Sequence, residues 1–137
     1  MSERRIAVFF YGLFMDVELL RAQGLQPGEP KSASVAGFAL RIGQRATLVP
    51  DANGRAYGFT MELTHAEVDR LYSDASVSAY RPEAVVVRFV DGSEAAALCF
   101  NLVMPPAPGE SNPQYAAKLR ELGQRLQLPS QYIASIR

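Results

Sequence analysis

Hydrophobic and polar positions along the chain mark out an alternation of strands with a few short helices. The run Ile6-Ala7-Val8-Phe9-Phe10 is apolar at every position, β-branched or aromatic at most, and predicts a strand buried on both faces. Tyr11-Gly12 follows, and a helical pattern opens at Asp16, whose side chain suits an N-cap, and runs to Arg21 before Gly24. A strand that turns through glycine into a helix points several backbone N–H groups one way. Such a turn suits a carboxylate or a developing oxyanion, although glycine also serves as a plain turn residue there.

Leu25 to Ser34, with Pro27-Gly28 and Pro30, reads as a loop. Val35 to Ile42 and Arg45 to Val49 read as strands, the second stopped by Pro50-Asp51-Ala52-Asn53-Gly54. Asn53-Gly54 predicts a tight hairpin returning as a strand over residues 55–63. Glu62 falls on the outward side of that strand unless the sheet curls over it. Thr64 with Glu67 spells a capping box for a helix to about Tyr72, and residues 73–79 show neither period. Glu83 to Val90 and Ala95 to Asn101 form a second hairpin around Asp91-Gly92. After the proline-rich stretch 104–109, Pro113 starts an amphipathic helix with Tyr115, Leu119, Leu122 and Leu126 on one face. Leu128-Pro129-Ser130 interrupts it before a last turn with Tyr132, Ile133 and Ile136. The pattern predicts one α+β domain over residues 1–137, a small, curved or barrel-like mixed β-sheet with a few flanking helices.

Composition narrows the function classes. With 48% hydrophobic and 20% charged residues the chain suits a packed globular core. Fourteen basic residues against fourteen acidic ones leave no electrostatic argument for nucleic acid or an anionic membrane as partner. One cysteine, Cys99, fits a reducing compartment, and Met1 to Arg5 shows no cleavable leader pattern, so a cytoplasmic location is expected. One histidine and one cysteine make no familiar Cys/His zinc site, and neither a phosphate-loop nor a dinucleotide fingerprint occurs. His65 reads as a surface residue in the first turn of its helix, and Cys99 as core. No metal and no organic cofactor is expected. Any chemistry must rest on carboxylates, tyrosines and backbone dipoles.

Several stretches, in order, resemble the γ-glutamylcyclotransferase-like family, which includes γ-glutamylamine cyclotransferases and AIG2-like proteins. Phe10-Tyr11-Gly12-Leu13-Phe14-Met15 resembles its strand followed by Tyr-Gly-x-Leu. Val35 to Leu40, Ala46 to Pro50 and Ala56 to Leu63 resemble its next strands. Tyr80-Arg81 before Val85-Val86-Val87 resembles its Tyr-x-Arg and valine strand, and Tyr115 to Leu122 with Leu128-Pro129-Ser130-Gln131-Tyr132 its closing helix. The resemblance implies a cofactor-free reaction. The α-amine of a γ-glutamyl amine or peptide attacks its own γ-carbonyl, giving 5-oxoproline and a free amine. It implies Tyr11, Gly12, Leu13 and Phe14 as binders of the glutamyl head, with Tyr80 and Arg81 beside them.

The family's acid/base glutamate, in Leu-Asp-x-x-Glu, has no direct counterpart in Val68-Asp69-Arg70-Leu71-Tyr72-Ser73-Asp74. Counting forward from Asp69 puts Tyr72 in its place; counting back from Tyr80 puts Asp74 there. Asp74 is the expected acid/base, ahead of Glu83 and Glu62. The alternative is a non-catalytic protein that binds a γ-glutamyl or related carboxylate compound on the same fold. The amine half of the ligand is not legible, and a homodimer is left open.

Overall fold

The structure, a computed structural model, describes residues 4–137. Five strands, β1 (Arg5–Phe10), β2 (Lys31–Ile42), β3 (Ala46–Thr64), β4 (Tyr80–Phe89) and β5 (Glu94–Leu102), form a closed barrel in the order β1-β3-β2-β4-β5. Neighbours are antiparallel except β1 and β5, which close the barrel in parallel. A single turn of 3-10 helix, Leu13–Met15, and α1 (Val17–Ala22) follow β1; α2 (His65–Leu71) follows β3; α3 (Pro113–Arg125) and α4 (Ser130–Ser135) close the chain. No helix among the described residues is long and apolar enough to cross a membrane.

The unbroken apolar run in β1 has a direct cause. Phe9 and Tyr11 point into the barrel with Val35, Leu48, Val87 and Cys99, whereas Val8 and Phe10 point outward under the helices. There they meet Met61 and Leu63 of β3, Leu71 of α2, Leu119 of α3 and Ile133 of α4. Both faces of β1 are therefore core, and no polar alternation survives. The barrel interior stays narrow because small residues, Ala33, Ala56 and Ala97, stand opposite the large ones.

Local signals held at most helix ends. Thr64 and Glu67 form both bonds of the capping box, Asp16 Oδ1 accepts from the N–H of Glu18, and Asn112 caps α3 ahead of Pro113. Asp91-Gly92 turns as expected, with Gly92 at φ 87°.

The Asn53-Gly54 hairpin is a correction. β3 runs through both residues as one strand, and the chain instead reverses at Gly43-Gln44-Arg45, between the paired Ile42 and Ala46. A type I′ turn needs positive φ at both central residues, and neither Asn53 nor Gly54 has it. The positive φ of 85° belongs to Gly37, where β2 bulges and its register against β3 shifts between Ala36 and Phe38. Gly54 sits against that bulge, its missing side chain making room for the Phe38 carbonyl. Strands β2 and β4 also start earlier than the pattern suggested, at Lys31 and Tyr80, because pairing with a neighbour extends them past polar residues.

Only two residue pairs join β1 to β5, Val8 with Leu98 and Phe9 with Cys99. Side chains complete the closure above them. The Tyr11 hydroxyl donates to the Phe100 carbonyl at 2.7 Å, Leu48 N–H donates to Asn101 Oδ1 at 3.2 Å, and Leu102 N–H donates to Thr47 Oγ1 at 2.9 Å. These bonds bring the Gly12 turn, the Arg45 hairpin and the end of β5 together at one mouth of the barrel.

The tight approach of β1 to β3 supplies a test. A Cβ on Gly58 would overlap the Phe10 carbonyl oxygen, a backbone atom that cannot swing aside. Gly58→Ala is expected to cost about 1–3 kcal/mol, read as a lower urea midpoint at unchanged m-value.

Candidate functional site

A cavity of about 290 Å³ opens at this mouth. One wall is the turn after β1, Tyr11 to Phe14; the opposite wall is Gln44, Arg45 and Ala46 at the hairpin tip; Tyr72, Tyr80, Phe100 and Tyr115 complete it. Of the residues expected to bind the glutamyl head, Tyr11, Gly12, Leu13, Phe14 and Tyr80 are thus brought to one place.

The turn is held by its own backbone and by α3. Met15 N–H donates to the Gly12 carbonyl at 3.0 Å, and Leu13 N–H reaches the Tyr115 hydroxyl at 3.4 Å. The same hydroxyl fixes residue 12 as glycine, since a Cβ there would lie 2.6 Å from it. Gly12 has φ −109°, a value open to any residue, so space alone makes the demand.

The tyrosines are mostly committed. Tyr11 is buried and gives its hydroxyl to Phe100; the Tyr80 hydroxyl donates to the Ala46 carbonyl. Tyr72 stacks on Phe100 with ring centres 3.9 Å apart and planes 12° apart, and Phe14 meets its edge at 6.1 Å. Burial pushes the Tyr11 and Tyr72 phenols well above the ordinary tyrosine range, raises Tyr115, and lifts Tyr80 to about 12. All four rings are neutral at physiological pH. They form an aromatic wall with no base.

Asp74 is not part of the lining. It is fully exposed, and its Oδ1 accepts from the N–H and the hydroxyl of Ser76 at 2.9 and 2.7 Å. Those two donors hold its pKa below the usual carboxylate range. Ser76 and Val77 touch the cavity; the carboxylate between them and α2 does not. Arg81 also lies outside this cavity, with Nη1 bonded to the carbonyls of Ser78 and Tyr80. The other candidate carboxylates are elsewhere: Glu62 is exposed, and Glu83 accepts from Asn101 Nδ2 at 2.5 Å. Among the described residues, no aspartate or glutamate lines the cavity. Burial pushes the Cys99 thiol to about 12, which leaves it inert in the barrel interior. No group of three or more His, Cys, Asp or Glu side chains suited to a metal ion occurs among the described residues.

The sequence reading did not place Gln44, Tyr115 and Phe100 in the site. Arg45, like Arg81, is by residue type either a carboxylate ligand or a surface residue, and the reversal at Gly43 is what puts it at a hairpin tip beside the cavity. Tyr115 shares a helical face with Leu119 and Leu122, and that periodicity reads as core.

No family model and no curated protein matches the sequence. Solved structures do. A γ-glutamyl cyclotransferase superposes with a TM-score of 0.77 at 18% identity, covering 98% of this chain and 89% of that one. The chain has the γ-glutamyl cyclotransferase fold. An uncharacterized protein from Homo sapiens gives a TM-score of 0.76 at 19% identity over the same shares, 98% and 89%. An AIG2-like protein from Mus musculus gives 0.58 at 13% identity, covering 82% of this chain and 91% of that one. Tyr72, the residue reached by counting forward from Asp69, lines the cavity with its ring stacked on Phe100.

Two outcomes test the site. Gly12→Ala should destabilise by about 1–3 kcal/mol in the wild type, yet by under about 0.5 kcal/mol in a Tyr115→Phe background, because the next nearest atom is 3.9 Å away. Equal costs in the two backgrounds would show that the hydroxyl is not the obstacle. The second outcome concerns pH. Each cavity phenol has a higher pKa folded than unfolded, so the folded state keeps protons that the unfolded chain releases. Stability should be intact below about pH 10 and fall as pH rises through about 12, alongside tyrosinate absorbance.

Proposed function

We propose that this protein binds a small γ-glutamyl or related carboxylate compound at the Gly12 turn, without the proton shuttle that efficient cyclisation needs. The observation that carries this reading is a cavity with a backbone-donor wall and an aromatic wall, and with no carboxylate among the described residues that line it. Neither Gly12 N–H nor Phe14 N–H is engaged by a hydrogen bond among the described residues, so both are available to an anionic or carbonyl oxygen. The aromatic rings opposite suit the aliphatic part of such a ligand.

Magnitudes favour binding over turnover. A positioned acid/base contributes about 10²–10⁴-fold, and its pKa works best near the operating pH. The cavity phenols titrate far above that range, and Asp74 is held below it while facing solvent. Positioning by the turn remains, so affinity is supported where chemistry is not.

One observation favours a second reading, the cyclotransferase activity that releases 5-oxoproline. Ser76 and Val77 border the cavity, so a modest movement of residues 73–79 would carry Asp74 to its rim. The experiment that separates the two combines NMR titration with 5-oxoproline and an assay of 5-oxoproline release from γ-glutamyl amines and dipeptides. Binding is expected to shift the amides of Gly12, Leu13 and Phe14, with no release above background. Release that falls at least about 10²-fold in Asp74→Asn, with affinity retained, would establish the enzyme reading instead. Shifts clustered away from the Gly12 turn would sink both.

A further inference from the structure

The barrel wall has a second seam, between β2 and β4. These strands meet at two residue pairs, Ala33 with Phe89 and Ser34 with Arg88, and beyond Ser34 no residue of β2 pairs with β4. Three positions further on, β2 bulges at Gly37 and stays with β3 alone. A fork of about 330 Å³ opens where the strands part, with Val35, Ala36 and Phe38 on one side and Ala84, Val85 and Val86 on the other.

The β4 side of the fork is a free edge. Phe89 N–H donates to the Ser93 carbonyl at 2.9 Å, and β4 keeps one unbroken register against β5 from Tyr80 to Arg88. Alternate residues of a strand turn their N–H and C=O to opposite sides, so Val87, Val85 and Glu83 face β5 as Phe89 does. Arg88, Val86, Ala84 and Pro82 face the other way. Arg88 meets Ser34, whereas Val86 and Ala84 meet no strand. Both are exposed, Val86 at 60%. Such a row of unpaired donors and acceptors is a template for an added strand. Pro82 has no N–H and ends the row on one side. Ser34 ends it on the other, because a strand that continued past the vertex would run into β2. The lane holds about four residues at roughly 3.3 Å each. The ten-residue β4 of a second copy is too long for it, so the occupant has a chain end at the vertex.

Charge at the vertex decides which end. Arg55 Nη1 donates to Ser34 Oγ at 2.8 Å, and Arg55 has no ion-pair partner among the described residues. Arg88 reaches Glu94 at 3.4 Å, with both side chains about half exposed. Two guanidiniums against one carboxylate leave a positive excess, which suits a terminal carboxylate and opposes a terminal ammonium. We propose that the fork takes the extended C-terminal segment of another polypeptide as an added strand, parallel to β4, with its carboxylate at Arg55 and Arg88. Its backbone pairs with Ala84 and Val86. Alternate side chains turn inward against Val35 and Val85, which are buried in the barrel interior, so apolar β-branched residues fit there.

NMR titration of the full chain with acetyl-Thr-Val-Thr-Val, as the free acid and as the C-terminal amide, tests this. Shifts are expected at the amides of Ala36, Ala84, Val86 and Arg88. The acid should bind about tenfold tighter than the amide, a modest factor because solvent at the rim screens the charges. Arg55→Gln should remove that preference and leave the affinity for the amide unchanged. Val86→Pro deletes an N–H that faces the fork and takes no part in pairing with β5, so the fold should persist while affinity for both peptides drops at least about tenfold. Arg55→Gln, a change on the outer surface, carries the test even if Val86→Pro lowers stability. Equal binding of acid and amide, shifts confined to Gly12 and Leu13, or no binding at millimolar peptide would overturn the proposal. So would a concentration-dependent dimer in sedimentation that Val86→Pro abolishes, since the edge would then belong to a second copy.

Discussion

The closure of the barrel between β1 and β5 is the constraint on which the site depends. With only two residue pairs in that parallel ladder, the strands would splay at the mouth without further ties. The buried Tyr11 hydroxyl supplies one by donating to the Phe100 carbonyl. Its net worth as a hydrogen bond is about 1 kcal/mol, but removing it would strand a buried carbonyl at a further cost of about 1–3 kcal/mol. Asn101 and Thr47 do the same for β3 against β5, using side chains where the backbone ladders have diverged. Because these ties anchor the residues on either side of the cavity, closing the barrel and forming the site are one event.

Much of the fold was legible because its signals are local. The Thr64–Glu67 box and the Asp91-Gly92 turn need only nearby residues, and both formed as read. Asn53-Gly54 shows where local reading ends. Its turn preference is worth less than the long β2–β3 ladder, and the strain of coiling that ladder is taken up at Gly37 instead. Nothing in the sequence around residue 53 reports that a bulge sixteen positions earlier will set the register.

The site divides in the same way. Gly12 could be found because a strand, a glycine and a helix start are adjacent in sequence. Tyr115 and Phe100 could not, since they arrive from α3 and β5 only once the barrel has closed. Asp74 is a subtler case. The sequence places a carboxylate in a loop at the right distance from Tyr80, but its orientation is decided by Ser76, two residues on, which offers two donors at once. An aspartate followed by serine at this spacing makes a self-contained turn, and the exposed turn satisfies the charge more cheaply than an aromatic cavity would.

Burial decides what the aromatic wall of the cavity can do. A carboxylate at position 72 would face the Phe100 ring and the Phe14 edge, with desolvation raising its pKa, which is how a glutamate is poised for proton transfer. A tyrosine there turns the same burial to a different end. Its ring is stacked on Phe100, and the desolvation that would have tuned an acid only makes the phenol harder to ionise. Tyr72 makes this part of the cavity a rigid apolar wall, while the backbone donors of the Gly12 turn depend on the barrel and not on residue 72. Backbone donors and buried rings are set by different parts of this fold, the first by the turn after β1 and the second by the elements that meet over it.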